Sequence, residues 1–178
     1  MNKTYFKLLV LMISSLFVIT SFTSCNKSSG TDLKWHGFER AVRLAQKENK
    51  PIMVDFYADW CSWCYELDAR TFNDPEVKEY LKENFILARL NADHRFKTIR
   101  YRGELFSPHD LLMSSGSRSL PTVVFLDSNA NFVHTQPGFQ NAEFYLRLLQ
   151  TVKEAIEKVQ ADRENQENQG QEQDLFNF

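Results

Sequence analysis

One short segment of the chain restricts its fold more than any other. Ile52–Tyr57 (IMVDFY) is a nearly continuous apolar run, the pattern of a strand that is buried on both faces. Directly after it, the pattern of Cys61–Asp68 predicts a helix that carries Cys61 and Cys64 one turn apart. A buried strand that leads into a cysteine-bearing helix is expected within an α/β fold.

Hydrophobic periodicity predicts the other elements and their order. The pattern predicts helices over Trp35–Asn49, about Pro75–Asn84 and Asn141–Val159, strands over Phe85–Leu90, Pro121–Asp127 and Phe132–Thr135, and a basic loop with a short helix within His94–Ser119. On the last helix, the predicted buried stripe is Phe144, Leu148, Val152, Ile156 and Val159. This order predicts an α/β sandwich in which parallel strands come first and an antiparallel edge pair comes last.

The N-terminus has the three zones of a secretory signal. Lys3 and Lys7 come first, the apolar run Leu8–Thr20 follows, and small polar residues lead to Cys25. That run is short for a membrane span, which needs about 20 residues. The exit FTSC resembles the lipobox of bacterial lipoproteins, which implies cleavage before Cys25 and attachment of lipid to its sulfur. An ordinary signal peptide with an incidental Cys25 is the alternative.

Composition divides the chain into four predicted regions. We predict a lipoprotein signal peptide over 1–24, a flexible tether over 25–33, a folded domain over 34–160 and a disordered polar tail over 161–178. Hydrophobic residues make up 43% of the chain, enough for one well-filled core. The formal net charge of −2 gives no reason to expect a nucleic-acid partner.

The two neighbouring cysteines admit three interpretations. A zinc site would need two further ligands, and the chain offers only Cys25 and four histidines, none in His-x3–5-His spacing. Two inert buried thiols are a second interpretation, but an exported chain oxidises thiols that lie close together. The spacing Cys-x-x-Cys after a buried strand and at a helix start favours the third, a redox pair without a metal.

The position of the pair on its helix suggests different roles for the two cysteines. Cys61 would sit at the first turn, where free backbone N–H groups and the helix dipole favour an anion. A stabilised thiolate is the attacking species in disulfide exchange. We therefore expect Cys61 to be an exposed nucleophile and Cys64 to be the resolving thiol that releases a mixed disulfide.

A resemblance to the thioredoxin superfamily lies in the segment VDFYADWCSWCYELD, and it is strongest towards the C-terminal periplasmic domain of DsbD thiol:disulfide interchange proteins and towards thioredoxin-like lipoproteins. Asp55 stands six residues before Cys61, where thioredoxins bury an acid. Arg89 stands where they carry a lysine facing that acid, and Pro121 lies in a segment similar to their cis-proline loop. The resemblance covers about Trp35–Val159. It implies a thioredoxin-like fold, a central mixed sheet flanked by helices, with an extra N-terminal helix.

The resemblance also implies roles for the matched residues. Asp55 would accept a proton from Cys64, with its pKa raised by burial and modulated by Arg89; a structural ion pair is the alternative. A cis Pro121 would place the Leu120–Pro121 backbone beside Cys61 to hold a substrate strand; an ordinary proline at a strand start is the alternative.

Five further residues near the pair also receive assignments. Trp60 would shield the site and offer an aromatic surface, with core packing as the alternative, and Trp63 would lie exposed on the lip. Glu66 resembles an acidic neighbour in DsbD-like segments, although a solvated helix residue is equally compatible with the pattern. Phe56 and Tyr57 are assigned to the core.

These inferences predict an extracytoplasmic thiol:disulfide oxidoreductase that uses no cofactor beyond Cys61 and Cys64. Ser62 and Trp63 supply no cation between the cysteines, which favours a reductant or electron carrier over a strong oxidant. Expected partners are cysteine-containing exported proteins, a membrane electron donor, and a lipid membrane through acylated Cys25. We expect a monomer in the bacterial envelope, facing the periplasm. The alternative is a redox-inert thioredoxin-fold binding module with a structural disulfide.

Overall fold

The computed structural model describes the backbone of residues 32–176 and the side chains of residues 32–162. The predicted signal peptide over 1–24, the lipid-attachment residue Cys25 and most of the tether over 25–33 lie outside the described residues. Among the described helices, none combines the length and the apolar character that crossing a bilayer requires.

Five helices and six strands make up this part of the chain. The helices are α1 Phe38–Glu48, α2 Ser62–Glu66, α3 Pro75–Asn84, α4 Pro108–Ser114 and α5 Ala142–Phe176. The strands are β1 Ile52–Tyr57, β2 Ile86–Asn91, β3 Ile99–Tyr101, β4 Glu104–Phe106, β5 Thr122–Leu126 and β6 Phe132–Pro137. A π-helical segment, Leu67–Phe72, continues α2.

The central sheet has four strands in the order β2-β1-β5-β6. Strands β1 and β2 are parallel, whereas β5 runs antiparallel to both β1 and β6. The sheet is therefore mixed, with a parallel pair first and an antiparallel edge pair last, and the predicted α/β class, central mixed sheet and N-terminal helix are confirmed. The register of β1 and β2 pairs Asp55 with Arg89.

Local signals explain why several elements begin and end where they do. Helix α3 starts at Pro75, and the Asp74 carboxylate caps it by accepting hydrogen bonds from the backbone N–H groups of Glu76 at 3.0 Å and Val77 at 3.2 Å. Helix α1 ends at Asn49, whose φ of 49° lies in the left-handed region. These two boundaries follow the sequence-based prediction.

Two apolar layers cover the two faces of the sheet. Residues that alternate along β1 separate between them: Met53 packs with the π-helical segment, α3 and α5, whereas Val54 and Phe56 pack with α1 and α4. This alternation is the period-2 pattern of a strand buried on both faces. We call the side with α3 and α5 the α5 face and the side with α1 and α4 the α4 face.

The loop predicted over His94–Ser119 contains a small sheet that the sequence analysis missed. Strands β3 and β4 pair there as an antiparallel hairpin before α4 begins. Each strand is three residues long, too short to show the alternation from which strands are predicted. Arg102 and Gly103, both with positive φ, form the turn between them.

Helix α5 differs from its prediction in two ways. It continues to Phe176, so the predicted helix end at Val159 is wrong; Glu, Gln and Arg of the polar segment 161–178 are favourable helix formers, and no proline interrupts them. Its buried stripe is Tyr145, Leu149, Val152 and Ile156 rather than one containing Phe144, Leu148 and Val159. Steps of 4, 3 and 4 residues follow the 3.6-residue period better than repeated steps of 4.

Candidate active site

A disulfide joins Cys61 and Cys64 at the start of α2, with 5.3 Å between their Cα atoms. Cys61 is the N-cap residue, and its Sγ accepts a hydrogen bond from the backbone N–H of Cys64 at 3.2 Å. A sulfur at the N-cap can accept hydrogen bonds from backbone N–H groups of the first turn that have no partner within the helix. The first turn of α2 can therefore stabilise negative charge on Cys61 when the disulfide opens.

Both cysteines are buried in the disulfide form. Cys61 is 4% exposed and Cys64 is 8% exposed, and the two form a small apolar cluster with Ala58, against which Tyr57 and Leu120 pack. The expectation that Cys61 is an exposed nucleophile is therefore wrong for this oxidised form. Part of this burial comes from Leu120, a residue of another loop, whose side chain packs against the pair.

Several hydrogen bonds hold the loop whose Leu120 packs against the disulfide. Its Leu120–Pro121 peptide is cis, the geometry that the resemblance implies. Ser117 and Thr122 hydroxyls bond to each other at 2.8 Å, and Thr122 Oγ1 also donates to the backbone carbonyl of Ser119 at 2.7 Å. Since the Pro121 carbonyl accepts from another backbone N–H at 2.8 Å, the loop presents a fixed edge beside the cysteines. Its role in holding a substrate strand stays a prediction.

A buried ion-pair network lies on the α5 face of the sheet. Arg89 donates from Nε to Asp55 Oδ2 at 2.8 Å, and its Nη2 lies 2.7 Å from the same oxygen. The same Nη2 also binds Asp68 Oδ1. Asp55 is 2% exposed, whereas the Asp68 side chain is 29% exposed. One guanidinium thus links a buried acid of β1 to a partly exposed acid of the π-helical segment.

The buried acid has a strongly altered proton affinity. Burial raises the pKa of Asp55 to about 6, against the lowering effect of Arg89 and with a further raising effect of the Asp68 charge. Its Oδ1 is buried and has no hydrogen-bond partner among the described residues. A buried carboxylate oxygen without a hydrogen-bond donor is unfavourable when charged, so protonation of this carboxylate is favoured relative to one in water. Asp55 therefore has the properties of a proton acceptor close to neutral pH.

Aromatic rings enclose the guanidinium and complete this network. The Arg89 Cζ lies 4.1 Å from the ring centroid of Trp35 and 5.4 Å from that of Tyr57. Tyr145 from α5 is fully buried on the same face, and burial followed by the charge of Asp55 raises the pKa of its hydroxyl. Tyr57 is only half-buried and contacts both the cysteine cluster and Arg89, so its assignment to the core is wrong; Phe56 is buried as predicted.

Exposed aromatic side chains flank the cysteines in the chain. Trp60 is 70% exposed, and its indole N–H donates to the Asp93 carboxylate, so the alternative of core packing is wrong for this residue. Trp63 is 59% exposed, as predicted, and its ring lies 5.5 Å from that of Phe139. We call Trp60, Trp63 and Phe139 the aromatic rim. Glu66 pairs on the surface with Arg70 at 2.6 Å, which is the solvated alternative for that residue.

The sequence analysis missed several residues of the site, including Tyr145 on α5. Asp68 lies one helical turn beyond Cys64, so its spacing was a usable signal. Trp35, Asp93 and Phe139 reach the site from separate loops, and no local pattern marks them. Their positions depend on how distant elements pack.

Comparisons with known proteins match this geometry. A family model described as thioredoxin-like matches residues 34–128. The chain is 33% identical over 111 residues to the thiol:disulfide interchange protein DsbD of Yersinia enterocolitica, covering 61% of this chain and 18% of that protein. It is 35% identical over 116 residues to DsbD of Vibrio vulnificus, covering 64% and 18%. The predicted resemblance to DsbD-type proteins is thus confirmed.

A solved structure shows the same fold. The solution structure of a thioredoxin from Thermus thermophilus superimposes with a TM-score of 0.54 and 25% identity, covering 67% of this chain and 86% of that one. The curated relatives are much longer proteins, since the chain spans about a fifth of the length of the DsbD proteins it matches. The region that the family model matches, residues 34–128, contains the cysteine pair.

Proposed function

Because the chain belongs to the thioredoxin-like family, we propose that it is a thiol:disulfide oxidoreductase that acts on cysteine-containing partner proteins. The observation that carries this proposal is the Cys61–Cys64 disulfide at the N-terminus of α2, next to the cis Leu120–Pro121 peptide. Both relatives named above are thiol:disulfide interchange proteins.

The proposed exchange proceeds in two displacements, each of which breaks one S–S bond and forms another. In the reduced protein, the Cys61 thiolate attacks a sulfur of the partner's disulfide and forms a mixed disulfide, while the partner's second sulfur leaves as a thiolate. The Cys64 thiolate then attacks Cys61 Sγ, closes the internal disulfide and releases the partner's first sulfur. Two electrons pass to the partner, and its two thiolates take up two protons.

The buried acid supplies the proton acceptor for the second displacement. The Cys64 thiol must lose its proton before it can attack, and Asp55, with a pKa of about 6 and an unpaired Oδ1, is suited to receive it. Arg89 acts as a positioning residue, since it holds the other carboxylate oxygen in place at 2.8 Å. In the reverse direction the same carboxyl group returns the proton.

The aromatic rim and the cis-proline loop form the proposed docking surface. Trp60 and Trp63 offer exposed rings next to the cysteines in the chain, and Leu120, which precedes the cis Pro121, packs against the cysteine cluster. An extended cysteine-containing segment could lie between them and bond to the loop backbone. Displacement of Leu120 by such a segment would uncover Cys61.

The cellular setting of this activity is also part of the proposal. Lipid on Cys25 would hold the protein at a membrane of the bacterial envelope, facing the periplasm, where a membrane protein donates electrons and exported proteins receive them. The order of basic, apolar and small residues before Cys25 supports this assignment. We favour the reducing direction and a monomeric state.

The reduction potential of Cys61–Cys64 tests the activity and its direction. The full chain is equilibrated with glutathione or dithiothreitol buffers, and the oxidised fraction is measured by thiol alkylation. A value at or below about −200 mV supports a reductant or electron carrier, and a value near −120 mV, roughly that of strong oxidants, reverses the direction. If the pair stays oxidised at potentials far below both of these values, the enzyme proposal is wrong and a binding module with a structural disulfide is favoured.

Substitution of the two cysteines separates their roles. We expect Cys61→Ser to abolish reduction of a disulfide-containing client such as insulin, because the attacking thiolate is gone. Cys64→Ser should instead accumulate a mixed disulfide between Cys61 and the client, visible on a non-reducing gel. Cys25→Ser, which leaves the pair intact, is the control and should keep the activity of the unaltered chain. If Cys61→Ser, and not Cys64→Ser, accumulates a mixed disulfide with the client, the roles of nucleophile and resolving thiol are reversed.

A further inference from the structure

A second candidate site lies on the α4 face of the sheet. A cavity of about 280 Å³ opens there between the β3–β4 hairpin, α4 and the sheet. Its walls are mainly apolar and include Phe38, Val54, Phe56, Phe106, Leu111 and Phe132. An apolar cavity of about 150 Å³ is large enough for benzene, so this space can take an apolar group of roughly twice that volume.

This cavity is separate from the redox pair. Its lining contains none of the cysteine-cluster residues, which are Ala58, Cys61, Cys64, Tyr57 and Leu120. Val54 and Phe56 of β1 line the cavity, whereas Asp55 of the same strand faces the opposite side of the sheet. Phe132, at the sheet edge, is 53% exposed and marks the opening.

One cation in the lining of this cavity has no partner among the residues whose side chains the structure describes. The hydroxyls of Tyr101, Ser114 and Ser115 also line the cavity, but each donates to a backbone carbonyl at 2.7–3.0 Å. Arg102 lines the cavity as well, and no hydrogen bond or ion pair joins its guanidinium to any residue whose side chain the structure describes. The nearest acid along the chain, Glu104, forms none with it. The polar group left for a ligand is therefore positively charged.

The backbone holds this arginine in an unfavourable conformation. Arg102 has a φ of 53° and Gly103 a φ of 86°, the signs that a type I′ turn requires of both central residues. Asn, Asp and Gly are the usual residues at such positions, because a larger side chain is strained there. Strain of this kind is often found where a residue serves a ligand. The turn places Arg102 at the tip of the hairpin that borders the cavity.

We propose that this cavity binds a free medium-chain carboxylate, with the apolar chain inside and the anionic group on Arg102. The walls favour the chain because they are mainly aliphatic and aromatic, and the hydroxyls among them are already hydrogen-bonded. The cation selects the head group, since a guanidinium binds a carboxylate through two parallel hydrogen bonds. The site is independent of the cysteine exchange proposed above.

Calorimetric titration of the full chain with decanoate, below its micellar concentration and at low salt, tests the proposal. We expect saturable binding of one decanoate per chain, and binding of the uncharged 1-decanol about fivefold weaker, the factor given by a favourable exposed ion pair. Arg102→Gln should weaken decanoate binding by about the same fivefold factor and leave 1-decanol binding unchanged. Absence of saturable decanoate binding would overturn the proposal.

Matched variants locate the ligand. Arg100→Gln removes a neighbouring hairpin cation that does not line the cavity, and it should leave decanoate affinity within about twofold, as expected of a screened surface charge. Ser114→Trp should fill the cavity and abolish binding, whereas Met113→Trp, on the adjacent α4 residue outside the lining, should not. Circular dichroism of each variant confirms folding. Equal losses in the Arg100 and Arg102 variants, or equal affinities for decanoate and 1-decanol, would also overturn the proposal.

Discussion

Strand β1 builds two different regions from alternate residues. On the α5 face, Asp55 forms a buried ion pair with Arg89 in a layer that is otherwise apolar. On the α4 face, Val54 and Phe56 belong to an apolar layer that includes the cavity. The contrast shows that the sheet admits a buried charge only where the strand register places a cation beside it.

The largest expected effect comes from placing an acid on the apolar side. Val54→Asp should lower the free energy of unfolding by about 4 kcal/mol at pH 7.5, because a buried carboxyl group would lack a paired cation. Urea unfolding measures the change. Val54→Ala, which removes packing without adding charge, should cost about 2 kcal/mol. Equal costs for the two variants would mean that the α4 face accepts a charge as readily as the α5 face.

Removing the cation from the charged side should have the next largest effect. Arg89→Met leaves Asp55 buried and unpaired, and we expect a loss of about 3 kcal/mol in the free energy of unfolding at pH 7.5. The loss should shrink below pH 5, where Asp55 is protonated. Arg70→Met, which breaks the exposed pair with Glu66, is the control and should cost less than about 0.5 kcal/mol. A pH-independent loss would contradict the role given to Asp55.

Neutralising the buried acid should stabilise the protein, but only at neutral pH. The pKa of Asp55 is about 6, above its ordinary 3.8, so its ionisation destabilises the fold. This penalty is absent below about pH 4 and complete above about pH 6. Asp55→Asn should therefore raise the free energy of unfolding by about 2 kcal/mol at pH 7.5, since one pKa unit corresponds to about 1.4 kcal/mol and asparagine loses part of the attraction to Arg89.

Unfolding curves from pH 4 to 8 check this prediction. The gain of Asp55→Asn over the unaltered protein should disappear at pH 4, where both side chains are neutral. Client reduction should fall in the same variant, because asparagine cannot accept the Cys64 proton. A variant that is more stable and equally active would separate the buried charge from the exchange reaction.

The smallest expected effect concerns the second acid on the same guanidinium. Asp68→Asn should lower the pKa of Asp55, because it removes a neighbouring negative charge and leaves Arg89 to one carboxylate. The free energy of unfolding should change by less than about 1 kcal/mol, since Asp68 is partly exposed. Titration of the Asp55 carboxyl carbon by NMR measures the shift. Glu66→Gln, on the same helical segment, is the control and should leave that titration unchanged.

Local signals predicted most of the fold but failed for the β3–β4 hairpin, for the helix after Cys61, and for the end and the buried stripe of α5. Strand β1 and the start of α3 were predicted at the correct residues, because an apolar run and a helix cap each depend on residues that are adjacent in the chain. The β3–β4 hairpin was missed since its strands are three residues long. The helix after Cys61 was predicted as regular, although its α-helical part ends at Glu66 and a π-helical segment places Asp68 against Arg89.

The sequence by itself determined the cysteine pair, its place after a buried strand and the order of elements, because each depends on neighbouring residues. The cis-proline segment was identified through the family resemblance. The resemblance also placed Arg89 opposite Asp55, and the β1–β2 register confirms it. Tertiary structure alone decided the other contacts between distant side chains: packing brings Trp35 and Asp68 to the same guanidinium, and the hairpin brings Arg102 to the cavity. Such contacts join residues far apart in the chain, and local patterns carry no record of them.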